Sequence, residues 1–181
     1  MSVNTRTPRT LAQQIGRHWA ANTAVPGGLL FVEDDAATPG NLYAATLPPA
    51  AHRLTPAASL TVRPSPASDP ATPMHAITLT AEAHAETPED ALAMLEDLCA
   101  VLWPNDGPFH VVPGGDHNMI GLVGLPDLGP GETADVWRIV TLEPDSTPAP
   151  IDAGHDTRDA DGQAAAAMTM TAMCTRVEVG S

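Results

Sequence analysis

Apolar residues recur along this chain with two different periods. In "TPRTLAQQIGRHWAAN", Leu11, Ile15 and Trp19 fall at i, i+4 and i+8, on one face of a helix that Thr7 can cap, Pro8 can start and Asn22 ends. A stronger helix signal lies in "ETPEDALAMLEDLCAVLWP". Thr87 is placed to cap it, Pro88 takes the first position, and Glu89 and Asp90 meet the positive helix end. Leu92, Leu95, Leu98 and Leu102 form its apolar stripe, and Pro104 stops it.

Elsewhere the period is two. "ASLTVRPSP" and "MHAITLTAEAHAE" predict a pair of strands joined by a proline-rich link; Ile77, Leu79, Ala81 and Ala83 share one face, with Thr78, Thr80, Glu82 and His84 on the other. "FHVVP", "NMIGLVGL", "ADVWRIVTLEP" and the terminal "AAAAMTMTAMCTRVEV" read as further strands separated by glycine and proline turns. "GLLFVEDD" is a short strand candidate, and the prolines of "NLYAATLPP" favour an exposed edge or a loop there. The order of elements predicts one α+β domain over residues 1–181. In it, two main helices pack on a mostly antiparallel sheet with proline- and glycine-rich loops.

Composition qualifies that picture. The chain has 181 residues, enough for one core, and 43% are hydrophobic, but much of that share is alanine and only 3% are aromatic. Each buried side chain therefore removes little apolar area from water, and the core is expected to be thin. Nineteen prolines and fourteen glycines imply long irregular connections. The formal charge of −14 opposes nucleic-acid binding. No leader-like stretch or run of eighteen apolar residues occurs, so the expectation is a protein inside the cell with no membrane partner. Cys99 and Cys174, the two cysteines, have no partner at metal or redox spacing and read as small core residues.

Candidate chemistry is sparse. "DTRDADGQ" has the look of a calcium loop, but alignment on Asp159, Asp161 and Gly162 puts Thr157 first and Met168 twelfth, so required oxygen ligands are missing. It reads as a polar turn launching the last strand. His110, His117 and His155, with Asp116, make a zinc alternative without the paired-ligand spacing that usually accompanies one. "VPGGDHN" lacks the lysine and helix of a phosphate loop, and no G-x-S-x-G elbow is present. The carboxylate pairs Glu33 with Asp34 and Glu96 with Asp97 read as solvated surface. The expectation is no catalytic residue, no metal and no cofactor.

The arrangement of "LAQQIGRHWA", "LLFVED", "SLTVRPSP", "HAITLTAEA", "TPEDALAMLEDLCAVL" and "APIDAGHDTRDADGQAAAAMTMTAMCTRVEV" resembles the tail terminator (tail completion) proteins of long-tailed bacteriophages over nearly the whole chain. In that family the closing strands follow a P-x-x-G-x-D-x-x-G-R type turn, which the Gly154-His155-Asp156 stretch approaches. Its final Gly-Arg is represented here only by Asp161-Gly162-Gln163. The resemblance implies a virion protein, assembled in the host cytoplasm into a hexameric ring at the head-proximal end of the tail tube. Such a ring stops tube growth and joins the tail to the head connector, while DNA passes through its lumen without sequence-specific binding. It further implies ring contacts around Asp152, Gly154, Asp156, Arg158 and Asp161. An axial-partner loop would carry Gly114, Asp116, His117 and Asp127, within a loop or hairpin insertion around residues 108–130. A stopper or adaptor of the same head-to-tail junction is the alternative within this class. A small metal-binding domain or hydrolase built on His110, His117 and His155 is the alternative outside it.

Overall fold

The computed structural model describes residues 8–33, 39–64, 73–104, 121–151 and 162–180. Its elements run α1 (Arg9–Asn22), β1 (Phe31–Val32), β2 (Leu42–Tyr43), a 3-10 turn (Ala50–His52), β3 (Ala57–Pro64), β4 (Met74–Ala85), α2 (Pro88–Leu102), β5 (Thr133–Pro144), β6 (Ala149–Pro150) and β7 (Ala164–Gly180). All strands join one sheet in the order β1-β2-β3-β4-β7-β5, with β6 pairing beside β5 on β7. The fold is α+β. The sheet is mixed, because β1 with β2 and β2 with β3 run parallel, while the long pairings β3–β4, β4–β7 and β5–β7 are antiparallel.

α2 starts as its sequence dictates. The Thr87 hydroxyl accepts from the Asp90 main-chain N–H at 3.2 Å and donates to the Asp90 carboxylate at 2.7 Å, with Pro88 following at the first helical position. Its buried face comprises Ala91, Met94, Leu95, Leu98, Cys99 and Leu102, and Leu92 lies at the margin of this face. α1 ends at Asn22, whose side chain donates back to the His18 carbonyl at 2.8 Å. Pro8 occupies the α1 cap position, and Thr7 lies outside the described residues.

β4 alternates as expected, and Ile77, Leu79, Ala81 and Ala83 meet Ala172, Met170, Met168 and Ala166 of β7 under α2, while α1 packs on β3 and β5. Much of this buried layer is alanine, which lets the helices sit close to the sheet. The three tryptophans fill the seams, each with its polar edge or ring face engaged. Trp19 Nε1 donates to Asp97 at 2.7 Å, and Trp103 Nε1 donates to the Leu142 carbonyl at 3.0 Å. Trp137 packs edge-on to His75 and lies 5.1 Å beneath the Arg176 guanidinium. Cys99 and Cys174 are fully buried core residues, and burial pushes both thiols up to about 12, with Glu96 adding to the effect at Cys99.

Two expectations about strands are corrected. Leu42 and Tyr43 are buried in an internal strand, not at an exposed edge; the prolines come only later, and the Tyr43 hydroxyl fixes the entry by donating to the Gly40 carbonyl at 2.9 Å. The described part of "GLLFVEDD" forms the short strand expected of it, β1. The described part of "NMIGLVGL" is no strand: it touches β5 through the single bridge Gly121–Ile139. The cause is that α1 side chains consume its next carbonyls, those of Val123 and Gly124. "FHVVP" and "VPGGDHN" lie outside the described residues.

Gln14, fully buried on α1, makes the central link. Its amide nitrogen donates to the Trp137 carbonyl at 2.9 Å and the Val123 carbonyl at 3.1 Å, and its oxygen accepts from Trp137 N–H at 2.8 Å. Replacing it by leucine would leave both β5 main-chain groups without these partners. Gln14→Leu is expected to cost roughly 2–4 kcal/mol, against about 1 kcal/mol for Thr87→Ala, both read as shifts in urea unfolding midpoint.

Candidate interaction surfaces

Three surfaces stand out, each built by identifiable elements. The first is a groove of about 740 Å³ in the helix layer. One wall is the outer side of α2, carrying Asp90, Ala93, Glu96, Asp97 and Ala100; the facing wall is the Ala24–Pro26 loop and the cis Thr55–Pro56 turn. Ala85 and Met94 form its buried floor. The loop wall is held by Asp97, whose carboxylate accepts from Trp19 Nε1, from the Thr23 hydroxyl at 2.6 Å and from the Ala24 N–H at 2.8 Å. Asp97 is thus a fastener between α1 and α2, whereas its pair-mate Glu96 is exposed as expected.

The second surface is a cleft of about 490 Å³ between α1 and the segment after Gly121, lined by Arg17, His18, Glu33, Leu125 and Asp127 among others. Arg17 crosses it, pairing with the Glu33 carboxylate and donating to the Gly124 carbonyl at 2.7 Å. Gly124 has φ +54°, and a Cβ there would overlap the Gln14 carbonyl, so glycine is what lets this segment lie against α1. Burial lowers the His18 pKa below its ordinary 6.5.

The third is the sheet face turned away from the helices. Thr61, Thr78, Thr80, Thr169, Thr171 and Thr175 lie on it with Ala76, Ala167 and Met173, and so do Arg63, Glu82, His84, Arg138 and Glu143, as the strand registers and burial alternation require. Among the described residues no helix packs there.

The sequence-predicted site residues divide sharply. Asp152, Gly154, Asp156, Arg158 and Asp161, together with Gly114, Asp116 and His117, lie outside the described residues, as do His110, His155 and Asp34. Asp127 is described: it is exposed and lines the α1 cleft, as Arg17 and His18 do. Gln163, the last residue of the proposed ring-contact turn, is used inside the protomer: it accepts from Arg53 at 2.6 Å and donates to the Thr55 hydroxyl at 3.0 Å. Among the described residues, no group of three or more His, Cys, Asp or Glu side chains is arranged to hold a metal ion. No described helix is long and apolar enough to cross a membrane.

No protein-family model matches this chain, and no curated protein matches its sequence.

The lowered His18 pKa fixes a sign. An unfolded histidine takes up its proton near 6.5 and the folded one does so only at lower pH, so the contribution to stability is present above 6.5 and is lost as pH falls below it. His18→Gln should flatten the decline in thermal midpoint below pH 6.5, measured by circular dichroism against the parent chain.

Proposed function

We propose that this protein is a structural assembly subunit of the tail-terminator type, acting as a ring of identical copies rather than as an enzyme. The supporting observation is the one-sided sheet. Both helices cover one face, and the other presents threonine, alanine and methionine together with Arg63, Glu82, Arg138 and Glu143, two charges of each sign, in a chain that carries 22 acidic residues. A face whose charges offset one another around a threonine, alanine and methionine surface suits contact with another copy of a strongly acidic chain.

Size agrees with that use. Four strands about 4.8 Å apart and about ten residues long, at about 3.4 Å each, span on the order of 500 Å² in projection. With side-chain relief the accessible area approaches the roughly 800 Å² per partner of a standard interface. Repeated head-to-tail contacts of one kind close into a ring when the rotation per copy divides the circle. The succession of a first helix, short strands, a strand pair, a capped helix and a long last strand is the same succession on which the resemblance to tail terminators rests. The occupant of the open face is, on this reading, the neighbouring copy.

The direct test is electron microscopy of particles assembled with and without the gene. Filled heads beside overlong headless tails would accord with termination of the tube. Normal-length tails left unjoined would move the role to a stopper or adaptor, and intact particles would overturn the virion reading. At the level of the molecule, Thr78→Arg and Thr80→Arg together should abolish rings seen by negative stain and light scattering while leaving the far-ultraviolet circular dichroism unchanged.

A further inference from the structure

The groove beside α2 has a character of its own, independent of the ring reading. We infer that it is a docking site for a cationic amphipathic helix of a partner protein.

Charge selects the partner. Glu86, Asp90, Glu96 and Asp97 line the groove, and among the described residues no arginine or histidine does. Asp97 is turned to Trp19, Thr23 and Ala24, and Asp90 to Thr87, which leaves Glu86, just before α2, and Glu96, between Ala93 and Ala100, as the exposed carboxylates of the groove. The formal charge of −14 adds a long-range field of the same sign. Cationic ligands are steered toward such a site, and anionic ones are repelled.

Shape and hydrogen bonding select a helix over a strand. An extended peptide needs a row of available main-chain groups to pair with. On the loop wall the Ala24 N–H is taken by Asp97 and the Val25 N–H by the Thr23 hydroxyl at 3.0 Å, while Pro26 and Pro56 have no N–H. The Val25 carbonyl is taken by Gly28 N–H at 2.9 Å. That wall offers side chains, mostly apolar, and a helix satisfies its own backbone. On the other wall Ala93 and Ala100, both exposed and seven residues apart, mark a furrow along α2 of about 10 Å at about 1.5 Å per residue, with Glu96 and Asp97 between them. That length matches two turns of a packed helix, and small side chains allow a short interaxial distance.

The test uses two fluorescent 18-residue helical probes with the same Leu/Ala stripe, one flanked by arginine and one by glutamate, and the full-length chain. Fluorescence anisotropy at low salt should give saturable binding of the arginine probe and at least about tenfold weaker binding of the glutamate probe. Ala93→Trp with Ala100→Trp, both at exposed positions, should weaken the arginine probe at least about tenfold by filling the furrow. Glu86→Arg with Glu96→Arg should reverse the preference between probes, and this pair reports on the site even if the tryptophan variant folds poorly. Two results would overturn the inference: no saturable binding of the arginine probe, or binding that both variants leave unchanged, which would be diffuse attraction to an acidic surface. Self-association of the parent chain that the tryptophan pair abolishes would also overturn it, by giving the groove to a second copy.

Discussion

The fold depends on how the outer edge of β5 is satisfied. An edge strand presents unpaired N–H and C=O groups that invite pairing with any other strand. Here two neighbouring positions are closed by different means: Ile139 exchanges both its main-chain hydrogen bonds with Gly121, and Trp137 exchanges both of its own with the Gln14 side chain. A primary amide is the side chain suited to this, since it offers a donor and an acceptor in the geometry of a peptide group. Gln14 also reaches Val123, and Arg17, one residue short of a full turn later, reaches Gly124. One face of α1 therefore stands in for the strand that residues 121–125 do not form.

The same economy governs the core. With only 3% aromatic residues, the chain cannot fill a wide gap between layers, so the layers are close where alanine dominates, and the tryptophans sit where elements diverge. Each indole spans a seam that alanine would leave open: α1 to α2, the end of α2 to β5, and β5 to the ends of β4 and β7. The thin core anticipated from composition is thus a matter of spacing. Truncating any tryptophan would open a cavity, and at Trp19 and Trp103 it would also remove a hydrogen bond, so these seams concentrate stability that alanine contacts spread thinly.

What was legible in the sequence was what local chemistry determines. The Thr87–Pro88 start of α2 and the alternation in β4 and β7 depend on neighbours a few residues away, and they fold as read. What was illegible depends on partners more than seventy positions off. "NMIGLVGL" has strand-like residues, yet hydrogen bonds from Gln14 and Arg17 divert its carbonyls. Asp97 resembles its neighbour Glu96 in sequence, and only the return of the chain at Trp19 to Ala24 gives it three donors. A signal for Gln14 did exist: a polar residue falling between Leu11 and Ile15, inside the buried stripe of α1, requires a buried partner.

The placement of charge bears on how many neighbours the protein can hold at once. The threonine-rich face and the α2 groove lie on opposite sides of the sheet, one behind β4 and β7, the other in the helix layer. Their chemistry differs as much as their position: the first is nearly neutral, the second carries carboxylates around an apolar strip. A neutral face tolerates a second acidic copy because little like charge is brought together, whereas an acidic groove disfavours one and attracts a cationic surface. Copies meeting head to tail, the sheet of one against a surface of the next other than the groove, would leave the groove uncovered on every subunit, so a ring of that kind would present one acidic furrow per copy to a partner of a different kind. Such a division between a self-contact and a hetero-contact needs no conformational change, only the separation of two surfaces that a single helix-on-sheet layer provides.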